Sequence, residues 1–182
     1  MTELDALRKG LVALLDGMWW GLRDNVGALS MYEGYSGGFR QMGSEFAEAG
    51  GEKGAKGAAS MAAKLFKAIG LEVARDGDSV RVISCPVWNR ILERGLEYAF
   101  HVEEICWKPM LEGIGEKAGA KPMVESSLRP AHLERARLDH KRSKAKLALE
   151  KGTITEEEYE SQTSVLEEGL KKIPSEGLYR FE

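Results

Sequence analysis

The sequence predicts an α+β fold in which helices pack on a small antiparallel sheet, and three observations carry that expectation. A leucine-rich amino-terminal stretch repeats with the period of a helix. An Asp-Gly turn at Asp76-Gly77 parts two alternating apolar runs, and from Pro130 onward the chain is charged and helical in pattern.

Leu4, Leu7, Leu11, Leu14, Leu15, Met18, Leu22, Val26 and Leu29 lie on one helical face, so residues 3–30 are expected as one long amphipathic helix. Each of Gly10, Gly17, Gly21 and Gly27 weakens such a helix by about 1 kcal/mol relative to Ala, which points either to close helix packing, the preferred reading, or to an interrupted helix, with Gly21 the place for a break. Aromatics and glycines then mix over Tyr32–Phe39, and a second helix resumes with Phe39, Met42 and Phe46. Gly50, Gly51, Gly54 and Gly57 mark a loop over residues 50–57, and Met61, Ala62, Leu65, Phe66 and Ile69 mark a third helix that Gly70 caps.

Leu71–Arg75 and Ser79–Ile83 alternate apolar and polar residues around Asp76-Gly77-Asp78, which supplies the positive φ of a tight hairpin. Pro86 suits the first turn of a helix, so Cys85-Pro86 reads as a strand-to-helix junction, with Val87, Trp88, Ile91 and Leu92 facing inward. A helix over 102–118 tolerates Pro109 near a bend, and Lys121–Glu125 is expected as a short strand. Residues 129–151 hold eight basic and three acidic side chains, whereas 152–182 hold three and eight. With Gly152 between them and Thr155–Glu158 as a capping box, these segments read as a C-terminal helical hairpin with oppositely charged arms. The domain division expected is 1–128 and 129–182.

Composition bounds the function. The 182 residues, 43% hydrophobic and 30% charged, suit one domain with a small appendage. A net charge of -3 gives no global attraction to nucleic acid or acidic membrane, and the basic stretch Arg135–Lys146 lacks the interleaved aromatics that stack on bases. No apolar run reaches the roughly 18–20 residues of a membrane span, and the acidic start lacks the basic region of a signal peptide, so a cytoplasmic location is expected. Two cysteines do not make a secreted disulfide framework.

Chemistry concentrates between Cys85 and Cys106. Thiolates and imidazole are ligands that zinc favours, so Cys85, Cys106 and His101 form a candidate metal set, with Glu103 or Glu104 able to complete it. The alternative is that both cysteines are small buried hydrophobic groups. Cys85 as nucleophile with His101 or Glu104 as base is a candidate catalytic set, although nothing supplies an orienting third group. Tyr35, Phe39, Trp88 and Trp107 offer large apolar surfaces that could wall a ligand pocket; the competing reading is plain core.

The order Tyr35-Ser36-Gly37-Gly38, a hairpin, Cys85-Pro86, then Cys106 and Gly113 resembles the 4-vinyl reductase domain superfamily, and the Cys-Pro then Cys ordering is similar to the thiazoline-carboxylate hydrolase family. The first resemblance, over about residues 30–128, implies an α+β module that binds a small hydrophobic molecule and, in several members, zinc through cysteines, here Cys85 and Cys106. Further cysteines usual in metal-binding members are replaced by Glu125-Ser126-Ser127-Leu128. Residues 147–159 are similar to a short C-terminal helical hairpin appended to many prokaryotic proteins, which implies a role in association. Three functions are therefore open: a non-enzymatic sensor or carrier, homodimeric through its long first helix, for a small hydrophobic molecule and zinc; a hydrolase of a thiazoline-like or small carboxylate substrate; and a structural oligomerisation scaffold. The incomplete catalytic set favours the first.

Overall fold

Glycines decide where the first helices end. In the computed structural model, which describes residues 1–94 and 102–182, α1 spans Glu3–Val26 and α2 spans Ala28–Gly50. A Thr2–Asp5 capping box starts α1, and Gly27, at φ +87°, breaks the chain between the helices. The break therefore falls at Gly27 and not at Gly21, which stays helical. The aromatic and glycine stretch 32–39, expected before the second helix, lies wholly inside α2.

Most of the leucine stripe of α1, Leu15 excepted, lies off its core face. Val12, Leu15 and Trp19 are buried, while Leu4, Leu7, Leu14 and Met18 are 49%, 70%, 57% and 45% exposed. On α2 the buried residues are Met31, Tyr35, Phe39, Gly43 and Ala47, a strict four-residue repeat that allows close helix contact. Its partner is α5 (Lys108–Ala118). A Cβ at Gly43 would run into the Met110 carbonyl, and one at Gly113 into that of Arg40, so each helix meets the other's backbone at a glycine. Arg40 brackets this crossing by pairing with Glu112 and Glu116.

The third helix, α3, spans Gly54–Ile69, longer than its apolar stripe suggests; the expected 50–57 loop shrinks to residues 51–53. Gly70, at φ +107°, caps it, and Arg8 donates to the Ala68 and Lys67 carbonyls at that end. Then β1 (Glu72–Asp76) and β2 (Ser79–Ser84) form the expected antiparallel hairpin, with Gly77 at φ +57° in its two-residue turn. Pro86–Arg94 forms α4; Val87, Trp88 and Ile91 are buried, but Leu92 is exposed.

Pro122–Ser126 forms β3. The closing residues depart from an all-helical reading: Gly177–Phe181 form β4, which pairs antiparallel with β2 and completes a sheet of order β1-β2-β4-β3. Its alternation buries Gly177, Tyr179 and Phe181, and its short length and the preceding helical pattern hide the signal. The helix α3 packs on β1, β2 and β4, α5 packs on α3 and α2, and α1 contacts α2 and α4. These elements belong to one unit, Met1–Glu125 with Glu176–Glu182.

A second unit, Ser126–Ser175, is the helical hairpin of α6 (Leu128–Glu150) and α7 (Glu156–Lys172). Gly152, at φ +67°, and the Thr155–Glu158 capping box shape its turn. In α6 only Ala145 is buried, and in α7 no residue is. Among the described residues no helix is long and apolar enough to cross a membrane.

The α2–α5 crossing yields a paired prediction. Gly43→Ala should cost about 2–3 kcal/mol, lowering the unfolding midpoint by roughly 5 °C or more, because backbone must move to admit one methyl. Gly37→Ala, with open space around its Cβ, should instead stabilise by up to about 1 kcal/mol. Thermal melts of both variants check this, and equal effects would contradict it.

Candidate functional site

The Cys85–Cys106 region is built from three elements. At the end of β2, Cys85 sits just before α4, where its Sγ accepts the Trp88 N–H at 3.4 Å and its carbonyl accepts the Asn89 N–H at 2.9 Å. Those are the contacts of a helix N-cap, made by sulfur in place of oxygen. Before α5, Glu103–Trp107 form a π-helical turn in which Lys108 N–H reaches back five residues to the Glu103 carbonyl. Pro109 explains that turn: without an N–H, and with a ring that crowds the carbonyl four residues back, it cannot follow a regular α-helical turn unchanged. The third element, β4, delivers Tyr179, whose hydroxyl donates to Glu103 Oε1 at 3.2 Å.

Burial governs the chemistry here. Cys85 and Cys106 are 1% and 0% exposed, and both are free thiols. Burial pushes the Cys85 thiol up to about 11, against the opposing pull of the backbone N–H groups at its Sγ. Burial, with Cys85 nearby, raises Cys106 well above the ordinary thiol range. Tyr179 is likewise held protonated, first by burial and then by the Glu103 carboxylate. Neither thiol is activated.

Of the sequence-predicted sets, Cys85 and Cys106 come close enough to perturb one another, Glu103 is buried beside them, and Glu104 is exposed. His101 lies outside the described residues. Among the described residues no three His, Cys, Asp or Glu side chains could share one metal ion. Zinc would have to draw both thiols out of the protonated form that burial favours, and would compete with the Trp88 N–H for the Cys85 Sγ.

The four aromatics expected to wall a pocket divide. Trp107 is 1% exposed and stands edge-on to Phe39 and Phe66, each at 5.6 Å between ring centres. Phe66 continues to Tyr179 at 5.9 Å, so Trp107 ties α2, α3 and β4 together as core. Trp88 is buried inside α4. Tyr35 and Phe39, stacked at 6.3 Å, line a cavity of about 230 Å³ between α1 and α2.

Leu11, Leu15 and Met18 form the α1 wall of that cavity; Gly34, Gly38 and Met42 line up along α2; and Ile69 closes the end. Its one hydroxyl, on Tyr35, donates to the Leu15 carbonyl, and burial raises its pKa. Nothing lies within 4 Å of a Cβ at Gly34 or Gly38, so these glycines keep the space open. Sequence reading found Tyr35 and Phe39 but missed the rest. The available signal was the four-residue spacing Gly34, Gly38, Met42 beside Tyr35 and Phe39, which places both rows on adjoining strips of one helix.

No family model, no curated protein and no solved structure matches the chain.

The raised thiols set a pH window. A group whose folded pKa lies above its unfolded value contributes stability below the unfolded pKa, and that contribution is lost as pH rises toward the folded one. For Cys85 the loss begins near pH 9 and runs to about 11, at about 1.4 kcal/mol per unit. Iodoacetamide at pH 8 should leave both cysteines of the native protein unmodified and modify both in denaturant, as intact mass will show; rapid native labelling would refute their burial.

Proposed function

We propose that the protein is a homodimeric, non-enzymatic module that binds a small apolar molecule in the α1/α2 cavity. The observation that carries this reading is the cavity's lining: apolar side chains and two glycines, with its single hydroxyl donor already satisfied. Such a space offers little to a polar substrate, whose groups would lose water without replacement. An apolar cavity of about 150 Å³ accommodates benzene, so 230 Å³ suits a substituted ring or a short branched chain.

The closed thiols support binding over catalysis. Cys85 is shut from solvent and held protonated, and the cavity that could receive a molecule is lined by neither cysteine. The order of features that resembles the 4-vinyl reductase superfamily agrees with a small hydrophobic ligand.

Toluene serves as a probe. Its titration should shift the Gly34 and Gly38 amide resonances saturably, and Gly38→Leu should weaken binding at least tenfold. That leucine projects into open space and favours helix over glycine by about 1 kcal/mol, so the variant should melt no lower than the parent. Absence of saturable shifts at those glycines in the parent protein would rule out the cavity as a binding site.

A further inference from the structure

Leu4, Leu7, Leu11, Leu14, Met18 and Gly21 follow one another at spacings of three and four, which is the a/d repeat of a coiled coil. This seam is distinct from the Val12, Leu15 and Trp19 face that α1 buries within its own chain. Four of the seam residues are about half exposed or more, whereas the charged Asp16 on the opposite side is buried and paired with Arg90. A helix that buries one apolar face and still leaves a second apolar strip in water exposes more apolar surface than water favours for a lone helix on a core.

We infer that a second copy of the chain docks its α1 along this seam and closes the open side of the α1/α2 cavity, so that dimerisation and ligand binding strengthen one another. The inference rests on the proposed ligand reading, and two residues connect them: Leu11 and Met18 belong both to the seam and to the cavity wall. A helix laid on the seam thus lies against the cavity's rim.

Self-complementarity identifies the occupant as a second copy. In a two-fold antiparallel pairing, Leu7 faces Met18 of the partner copy, Leu11 faces its Leu14, and Leu4 seats over its Gly21. Each layer then sets a larger side chain against a similar one or against a gap. Gly10 and Gly17 flank the seam with nothing within 4 Å of a Cβ, which lets the partner helix approach closely. Charge agrees: Glu3 and Asp5 in the first turn come beside the partner's last turn, which carries Arg23, and the two helix dipoles oppose. The four exposed seam side chains bring roughly 400 Å² of apolar surface per chain, about half of the ~800 Å² that each partner gives a standard interface.

Three full-length variants separate this inference from the ligand reading. Analytical ultracentrifugation should find the parent protein dimeric at micromolar concentration and Leu7→Glu/Leu14→Glu monomeric with unchanged circular dichroism, since both positions are exposed in the single chain. The same variant should bind toluene at least tenfold more weakly, although neither leucine lines the cavity. Gly38→Leu should stay dimeric while losing toluene, a result that tests the ligand reading alone. Closure has its own readout, because the native thiols are buried: a Met18→Cys variant should react with iodoacetamide at least tenfold more slowly at 100 μM protein than well below the dimer dissociation constant. A monomeric parent at 100 μM, a dimeric Leu7→Glu/Leu14→Glu, or concentration-independent labelling at position 18 would each overturn the docking. A monomeric double variant with parental toluene affinity would overturn the coupling.

Discussion

The crossing of α2 and α5 constrains the rest of the larger unit, because each helix meets the other's backbone there at a glycine. Gly43 lies against the Met110 carbonyl and Gly113 against that of Arg40, a reciprocal contact that fixes both the spacing and the rotation of the two helices. With rotation fixed, Phe39, one turn before Gly43, must project onto the π-helical turn, where Trp107 receives it edge-on. Tyr35, a turn earlier still, then comes under α1 and donates to the Leu15 carbonyl. The position of α1, and hence the cavity, follows from glycines that touch neither.

The same crossing accounts for the Cys85–Cys106 region. Pro109 sits just before the Met110 contact, so α5 cannot slide to relieve the clash that proline makes with the preceding turn; the extra residue of the π turn absorbs it instead. That turn buries Cys106 and Glu103 together, and β4 supplies Tyr179 as the hydrogen-bond donor that a buried carboxylate needs. Cys85 finds its role at the N-terminus of α4. Cys85, at the N-terminus of α4, and Cys106, in the core, are thiols whose burial favours the neutral form.

What could be read in advance follows physical locality. The β1–β2 hairpin, the Gly70 cap and the Thr155–Glu158 capping box rest on contacts within a few residues, and the structure has all three. The aromatic and glycine stretch misleads because glycine's helix penalty of about 1 kcal/mol is local, while the burial of Met31, Tyr35 and Phe39 that overrides it comes from distant partners. The fourth strand is invisible for the same reason: Gly177–Phe181 is recognisable only beside β2, nearly a hundred residues earlier. Of the cavity's nine lining residues, Tyr35 and Phe39 were legible. The α1 wall depends on which face of that helix turns inward, and apolar content alone assigns that face to the leucines.

That misassignment is itself informative. A helix with one apolar face and one polar face has a single way to lie on a core, but α1 carries two apolar strips, and only one can be satisfied by α2 and α4. The chain buries the strip that offers Trp19 and the Asp16–Arg90 pair, groups whose size and charge need specific partners already present in the same unit. The strip left outside consists of Leu, Met and Gly alone, residues whose packing asks only for apolar shape. An identical strip from another copy meets that requirement, whereas the tryptophan and the aspartate could not have been matched by symmetry without placing like against like. The division of α1 into a specific inner face and a generic outer one thus follows from which side chains tolerate self-pairing.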